Sequence, residues 1–174
     1  INESRIGVIK ILKRMGATIK LKNKKVYKGE NIADIFIKSS KKLKGINCPS
    51  YLNSSAIDEF LIIFLVAAKA KGISTFKNLG ELNKKESPRL NIAVNFLKMM
   101  GVRVERKKDN IKIFGNPKLE LKKNIHVKNY LKDHRVFMMS CIAALTFGGN
   151  WKIHDKNSIN TSFPDFLKKI KLIG

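Results

Sequence analysis

The sequence Ala-Ile-Asp-Glu-Phe-Leu-Ile-Ile-Phe-Leu-Val-Ala-Ala-Lys-Ala-Lys, at residues 56–71, predicts a helix that is apolar nearly all round. A serine at position 54 or 55 is expected to cap its start, and Gly72 to end it. Asp58 and Glu59 fall in the predicted first turn, where the helix dipole favours negative charge. Because a helix without a polar face is buried between layers, we expect sheets packed around internal helices.

This pattern occurs twice in the chain. A second apolar helix is predicted over 134–147, capped by Asp133 and ended by Gly148 and Gly149. Amphipathic or broadly apolar helices are also predicted at 4–15 and 88–100, each followed by a glycine and then by strands. The repeating unit is therefore a helix, several strands, a buried helix and a strand.

The remaining segments are predicted to be short strands and one last helix. The last helix begins at Phe163 or Pro164 and ends near Ile170. A hairpin is predicted around Lys108-Asp109. The predicted strands cover residues 18–21, 25–27, 32–39, 43–48, 74–77, 102–106, 110–114, 120–121, 125–127 and 151–153.

The most charged helix start is Asn-Lys-Lys-Glu-Ser-Pro-Arg-Leu, at residues 83–90. Ser87 is predicted to cap this helix and Pro88 to occupy its first position. Lys85, Glu86 and Arg89 then surround a helix N-terminus, which favours a bound anion. Taken alone, the stretch also fits a solvated charged loop above a surface helix.

The composition is that of a globular chain of 174 residues, 44% of them hydrophobic, with a net charge of +23. Such a charge attracts polyanions, but the lysines are spread along the whole chain, and we do not expect nucleic-acid binding. No apolar run is long enough to span a bilayer. Two cysteines, Cys48 and Cys141, form neither a disulfide framework nor a metal-ligand spacing, which favours a reducing cytoplasm.

Several motifs together resemble one family, the 3-phosphoshikimate 1-carboxyvinyltransferases, or EPSP synthases. They occur in order over essentially the whole chain. They are Asn2-Glu3-Ser4-Arg5, Ile32-Ala33-Asp34, Ser39-Ser40, Leu43-Lys44-Gly45, Ala56-Ile57-Asp58-Glu59-Phe60, Lys85-Glu86-Ser87-Pro88-Arg89, Asp133-His134-Arg135 and Thr161-Ser162-Phe163-Pro164-Asp165-Phe166.

The resemblance implies an α/β (α+β type) fold, the inside-out barrel of enolpyruvyl transferases, in which repeated βαβαββ units enclose helices. Residues 1–174 are expected to be most of the C-terminal domain, with the N-terminal domain and the start of the C-terminal domain missing. The chain does not begin with Met, which agrees with that expectation. The fragment alone is expected to be inactive, and the full-length enzyme to be a cytoplasmic monomer.

The resemblance also implies an activity, the transfer of the enolpyruvyl group of phosphoenolpyruvate to the 5-hydroxyl of shikimate 3-phosphate. This reaction belongs to the shikimate pathway and needs no cofactor or metal. Asp58 matches the proton acceptor that contacts shikimate, and Lys85 matches a lysine of the shikimate 3-phosphate site. Arg89 and Arg135 match the two arginines that bind phosphoenolpyruvate. Glu86 matches a carboxylate for proton transfer.

His134 is a further candidate, either for proton transfer or for a hydrogen bond within its loop. Pro88 departs from the family pattern, which usually has Asp there, and Leu61 stands where many members have Pro. Thr161 stands where one branch has a substrate-site lysine, so that role is not carried over.

Two alternatives remain at this stage. The first is the related enolpyruvyl transferase that acts on UDP-N-acetylglucosamine, whose motif resembles Asp-x-Arg with a middle residue other than His134. The second is a basic module that binds nucleic acid.

Overall fold

Helices alternate with short strands in the computed structural model, which describes residues 1–40 and 42–171. Within these residues the helices are α1 (Gly7–Arg14), α2 (Phe60–Lys69), α3 (Arg89–Met99), α4 (His134–Phe147) and α5 (Phe166–Lys171). The strands are β1 (Thr18–Tyr27), β2 (Glu30–Lys38), β3 (Gly72–Phe76), β4 (Arg103–Lys107), β5 (Asn110–Gly115), β6 (Leu121–Val127) and β7 (Gly148–Ile153). None of these helices is long and apolar enough to cross a membrane.

The strands form three small sheets. β1 and β2 are an antiparallel hairpin, and β3, β5 and β4 form an antiparallel sheet in that order. β6 and β7 are parallel and are connected through α4. The strand predicted over 43–48 is reduced to two isolated parallel bridges, Lys44 with Lys71 and Asn47 with Thr75. The two short strands predicted at 18–21 and 25–27 are one strand, whose register shifts between Lys22 and Lys25.

The helix α2 lies in the centre of the core, as its composition predicts. None of its residues is exposed, and it packs against α1, α3, α4 and β5. Phe60, Phe64 and Phe76 form an aromatic cluster with ring centroids 5.2–5.9 Å apart. Burying each such side chain contributes about 1.5–3 kcal/mol. Lys69 fits this environment because its ammonium donates to the carbonyl of Leu119 and lies 5.0 Å from the ring centroid of Phe147.

The predicted start of α2 is wrong by four residues. The chain forms two 3₁₀ turns, Ser50–Leu52 and Ser54–Ala56, and α2 begins only at Phe60, without a side-chain cap. Ser55 does not cap the helix because its hydroxyl donates to the carbonyl of Leu52 and packs against Gly7 of α1. Asp58 and Glu59 therefore precede α2 and do not lie in its first turn.

The predicted repeat is present in the structure. α1 with the β1–β2 hairpin corresponds to α3 with the β4–β5 hairpin, and each helix ends at a glycine with positive φ, Gly16 at +93° and Gly101 at +80°. The segment 43–48, α2, β3, α3, β4 and β5 follow in the order βαβαββ. The expected mixed α/β class is confirmed by this order and by the structural matches given below.

The second apolar helix, α4, is less enclosed than predicted. Its first three turns are buried or partly buried, whereas Leu145 near its end is 52% exposed. The ends of α1 and α5 also differ from the prediction. α1 begins at Gly7 and not at position 4, and α5 begins at Phe166 and not at Phe163 or Pro164.

Candidate functional site

Charged side chains meet where α2, α3 and α4 begin. Asp58 lies two residues before α2, Arg89 is the first residue of α3, and Arg135 is the second residue of α4. These three residues are 31 to 77 positions apart in sequence, yet both arginines contact Asp58. The fold therefore concentrates charge at neighbouring helix starts.

Among the residues that the structure describes, four cations surround the Asp58 carboxylate. We call Arg5, Asp58, Lys85, Arg89 and Arg135 the Asp58 cluster. The carboxylate oxygens lie 3.0 Å from Arg5, 3.4 Å from Arg89, 3.6 Å from Arg135 and 3.7 Å from Lys85. The structure thus brings together four of the residues that the sequence predicts for the site, and adds Arg5 to them.

The electrostatic balance keeps Asp58 ionised. Burial of its side chain, which is 19% exposed, raises the pKa, but the nearby positive charges outweigh this effect. Arg135, Lys85, Arg5 and Arg89 lower the pKa, in that order, to below its ordinary value of 3.8. Asp58 is therefore a carboxylate at neutral pH and pairs with the surrounding cations.

A buried ion pair lies behind the Asp58 cluster. The guanidinium of Arg89 is 3% exposed, and its Nε and Nη2 atoms donate to the two oxygens of Asp133, at 2.8 and 3.3 Å. Asp133 also accepts from the hydroxyl of Ser87 at 2.7 Å and from the backbone N–H of Arg135 at 2.9 Å. Burial raises the pKa of Asp133, but the hydrogen bonds from Arg89 and Ser87 outweigh it and lower the pKa below 3.8.

The start of α3 differs from the prediction. Pro88 is not the first helical residue: with φ −71° and ψ 71° it lies in an inverse γ-turn, closed by a 2.7 Å hydrogen bond from the N–H of Arg89 to the carbonyl of Ser87. Ser87 gives α3 no side-chain cap, because its hydroxyl donates to Asp133. Asp133 caps α4 as predicted, by accepting from the N–H of Arg135.

Glu86 and His134 form a second contact beside Arg89. The Nδ1 atom of His134 lies 3.1 Å from a Glu86 oxygen, and the same oxygen lies 3.6 Å from Nη2 of Arg89. Potential ligand atoms of Glu86, Asp133 and His134 lie within 4.8 Å of one another. Ion pairs and hydrogen bonds explain this grouping, since Asp133 already accepts four hydrogen bonds.

Arg135 also contacts the backbone and a second carboxylate. Its Nη1 atom donates to the carbonyl of Asp58 at 2.9 Å and lies 3.5 Å from Glu59. Burial raises the pKa of Glu59 above its ordinary value of 4.5, even though the charge of Arg135 lowers it. Burial therefore makes the ionised form of Glu59 less favourable in the folded chain than in water.

A cleft opens next to Lys85. It has a volume of about 500 Å³ and lies between the 3₁₀ turn at Ser50–Leu52 and Lys85, with Asn53, Asn78 and Glu81 in its lining. This volume is in the range of small-molecule sites in proteins. The cleft therefore offers room for a ligand beside Lys85, the member of the Asp58 cluster that lines it.

The sequence did not predict the contacts that Arg5, Ser87 and Asp133 make at the site. Arg5 belongs to the motif at residues 2–5, but nothing in its local sequence indicates a partner 53 positions away. Ser87 and Asp133 read as helix caps, and their mutual hydrogen bond joins segments 46 positions apart. Only Asp133 performs the predicted capping role.

Comparison of the fold with solved structures defines the class of protein. The chain is similar to the enolpyruvyl transferase NikO from Streptomyces tendae, with a TM-score of 0.64 at 16% identity, over 97% of this chain and 35% of that one. This likeness concerns the fold alone. A solved EPSP synthase from Acinetobacter baumannii matches with a TM-score of 0.91 and 38% identity, over 100% of this chain and 40% of that one. The architecture is thus that of the enolpyruvyl transferases.

The sequence comparison specifies the family. The sequence model of the family EPSP synthase (3-phosphoshikimate 1-carboxyvinyltransferase) matches residues 1–170, and the chain belongs to this family. Two relatives named 3-phosphoshikimate 1-carboxyvinyltransferase share sequence identity with this chain. The one from Thermodesulfovibrio yellowstonii is 39% identical, and the one from Ruthia magnifica subsp. Calyptogena magnifica is 41% identical. These matches cover 99% and 100% of the chain, which spans 39% of the length of each relative. They favour neither of the two alternatives considered from the sequence.

Proposed function

We propose that the whole protein transfers the enolpyruvyl group of phosphoenolpyruvate to the 5-hydroxyl of shikimate 3-phosphate and releases phosphate. This is a step of aromatic amino-acid biosynthesis by the shikimate pathway, and we place it in the cytoplasm. Family membership supports the proposal. The observation that carries it is the meeting of Lys85, Arg89 and Arg135 around one carboxylate, that of Asp58.

The cations suit the charges of the two substrates. Arg89 and Arg135 bind phosphoenolpyruvate, whose phosphate and carboxylate match the planar fork of a guanidinium. Lys85 binds shikimate 3-phosphate, and the cleft beside it offers the space. The arginines lie in the first turns of α3 and α4, where the helix dipole also favours an anion.

The addition of the two substrates needs two proton transfers, and the elimination that follows needs a third. Asp58 accepts the proton of the 5-hydroxyl while the oxygen of that hydroxyl bonds to C2 of phosphoenolpyruvate. A second proton is delivered to the methylene carbon C3. The product of this addition is a tetrahedral adduct. Loss of a proton from C3 and cleavage of the bond between C2 and the phosphate oxygen then restore the double bond and release phosphate.

Glu86 takes part in the proton transfer at C3, assisted by His134. The contact of 3.1 Å between Nδ1 of His134 and a Glu86 oxygen supports this role, because a proton can move along such a hydrogen bond. Glu86 is 56% exposed and lies at the open side of the site, whereas His134, which is 18% exposed, lies largely buried beside it.

Substrate binding would also strengthen the base. Arg135, Lys85, Arg5 and Arg89 hold the pKa of Asp58 below its ordinary value, which makes it a weak proton acceptor. Anionic substrates would neutralise Lys85, Arg89 and Arg135, and this would raise the pKa of Asp58. A carboxylate with a higher pKa is the more effective proton acceptor.

Residues 1–174 make up most of the C-terminal domain in this proposal, and an N-terminal domain supplies the other side of the cleft. The share of 39% that the chain spans in its relatives supports this arrangement. The whole enzyme acts as a monomer and requires no cofactor.

The test is phosphate release by the whole protein with phosphoenolpyruvate and shikimate 3-phosphate. We expect release that requires both substrates. Turnover with UDP-N-acetylglucosamine in place of shikimate 3-phosphate would favour the related transferase. Tight DNA binding that weakens steeply with salt in a filter assay, without turnover, would favour the basic module.

A further inference from the structure

Asp133 is the most completely buried charged group beside the Asp58 cluster, and the proposed reaction gives it no chemical step. Its side chain has no exposed surface. It accepts hydrogen bonds from Ser87, from two nitrogens of Arg89 and from the backbone of Arg135. The two arginines proposed to bind phosphoenolpyruvate therefore share this one carboxylate.

The contact with Arg89 fixes the direction of its guanidinium. An arginine side chain has several rotatable bonds, but paired hydrogen bonds from Nε and Nη2 to one carboxylate leave a single orientation. This orientation brings Nη1 to within 3.4 Å of Asp58, at the site. Arg89 is nearly fully buried, so it requires a permanent counter-charge whether or not a ligand is present.

The contact with Arg135 fixes a backbone position. The same carboxylate caps α4 through the N–H of Arg135 at 2.9 Å. A movement of Asp133 would therefore shift the start of α4 and the guanidinium of Arg89 together. One buried carboxylate thus contacts Arg89 of α3 and the backbone of Arg135 in α4.

We propose that Asp133 is a positioning residue, which holds Arg89 and Arg135 at the separation that phosphoenolpyruvate requires without itself touching substrate. This inference rests on the proposed function. Preorganised donors contribute to binding because their orientation costs no free energy when the ligand arrives. Asp133 is accordingly expected to affect phosphoenolpyruvate far more than shikimate 3-phosphate, whose lysine, Lys85, it does not contact.

The test is the variant Asp133→Asn in the whole protein. An asparagine oxygen still accepts from the N–H of Arg135, so the cap of α4 is kept, whereas the charge opposite Arg89 is lost. We expect KM for phosphoenolpyruvate to rise about 10- to 100-fold, the range for a lost charge-assisted pair. KM for shikimate 3-phosphate is expected to change less than about 3-fold, because Lys85 keeps its place. The matched control is Asp34→Asn, the same change at an exposed position of the β1–β2 hairpin, with both constants unchanged.

The variant Asp133→Glu covers the case in which the asparagine variant does not fold. It keeps the charge but adds one methylene, which displaces the guanidinium, so the same selective rise in KM is expected. Equal changes in both KM values, or a fall in kcat alone per folded molecule, would overturn the inference. If the unmodified protein has no turnover with these substrates, the proposed function fails and the inference fails with it. If the wild type is active and the Asp133 variants leave both KM values unchanged, the inference is refuted and the proposed function stands.

Discussion

Replacing Asp58 by alanine in the whole protein is expected to remove turnover while the fold remains nearly as stable as before. Asp58 contacts four cations in the described part of the chain. Its side chain is 19% exposed, and it lies before α2, where it forms no helix cap. The sequence predicted Asp58 in the first turn of α2, where its loss would weaken the helix. Because it lies before α2, the variant separates a catalytic role from a structural one more clearly.

The expected loss of stability follows from the ion pairs that Asp58 forms. Partly exposed pairs each contribute about 0.2–1 kcal/mol, and their loss is partly offset because the buried carboxylate is no longer desolvated. We expect a net loss of about 1–2 kcal/mol, against a typical stability of about 5–15 kcal/mol. Essentially all molecules would stay folded at neutral pH, and Tm would fall by only a few degrees.

The expected loss of catalysis is larger than the loss of stability. A positioned general base contributes about 10²–10⁴-fold in rate, which corresponds to about 3–5 kcal/mol of the activation barrier. Because the variant stays folded, unfolding cannot account for a loss of this size. The affinity for phosphoenolpyruvate is expected to be kept or to increase, since Arg89 and Arg135 lose a competing carboxylate.

The assay measures Tm and phosphate release on one purified preparation, with Asp34→Ala on the exposed hairpin as the matched control. We expect kcat to fall by at least about 100-fold with a small change in Tm. A variant that melts early but keeps most of its activity per folded molecule would show that Asp58 is a structural ion-pair residue and not the base.

Three further outcomes are expected. Arg135→Lys keeps the charge but cannot retain both the hydrogen bond to the carbonyl of Asp58 and a forked contact, so KM for phosphoenolpyruvate should rise by about 10- to 100-fold; unchanged kinetics would remove Arg135 from the site. Glu59→Gln is expected to raise Tm at pH 7. The folded-state pKa of Glu59 is above 4.5, so ionisation at neutral pH opposes folding, and the difference in Tm from the parent should vanish as the pH falls below 4.5. A lower Tm at pH 7 would mean that the pair with Arg135 outweighs burial. The 174-residue chain on its own is expected to release no phosphate from both substrates, because catalysis depends on assembling both sides of the cleft; detectable release would contradict the proposed division into domains.

Features set by nearby residues could be predicted from the sequence. The all-round apolar composition of residues 60–69 predicts a buried helix because no face of it favours water. Asp133 could be recognised as the cap of α4 because a cap and the N–H it binds are two residues apart. Glycine after a helix likewise marked the ends of α1 and α3, since Gly16 and Gly101 adopt positive φ.

The motifs also predicted which charged residues belong to the site, and the structure brings Asp58, Lys85, Arg89 and Arg135 together. Their chemical roles remain predictions until the variants above are measured. The motifs did not indicate that Arg89 would be nearly fully buried, because its burial depends on the packing of α3 against neighbouring parts of the chain.

Competition between local and distant partners separates the correct predictions from the wrong ones. Ser87 has the sequence of a helix cap, but its hydroxyl donates to a carboxylate 46 positions away. The start of α2 shifts to Phe60 because Ser55 is held by Leu52 and packed against α1. Local signals specify helices, turns and caps because their groups interact within a few residues of chain. The direct contacts of the Asp58 cluster join residues up to 77 positions apart, and only the packed tertiary structure brings such groups within hydrogen-bonding distance.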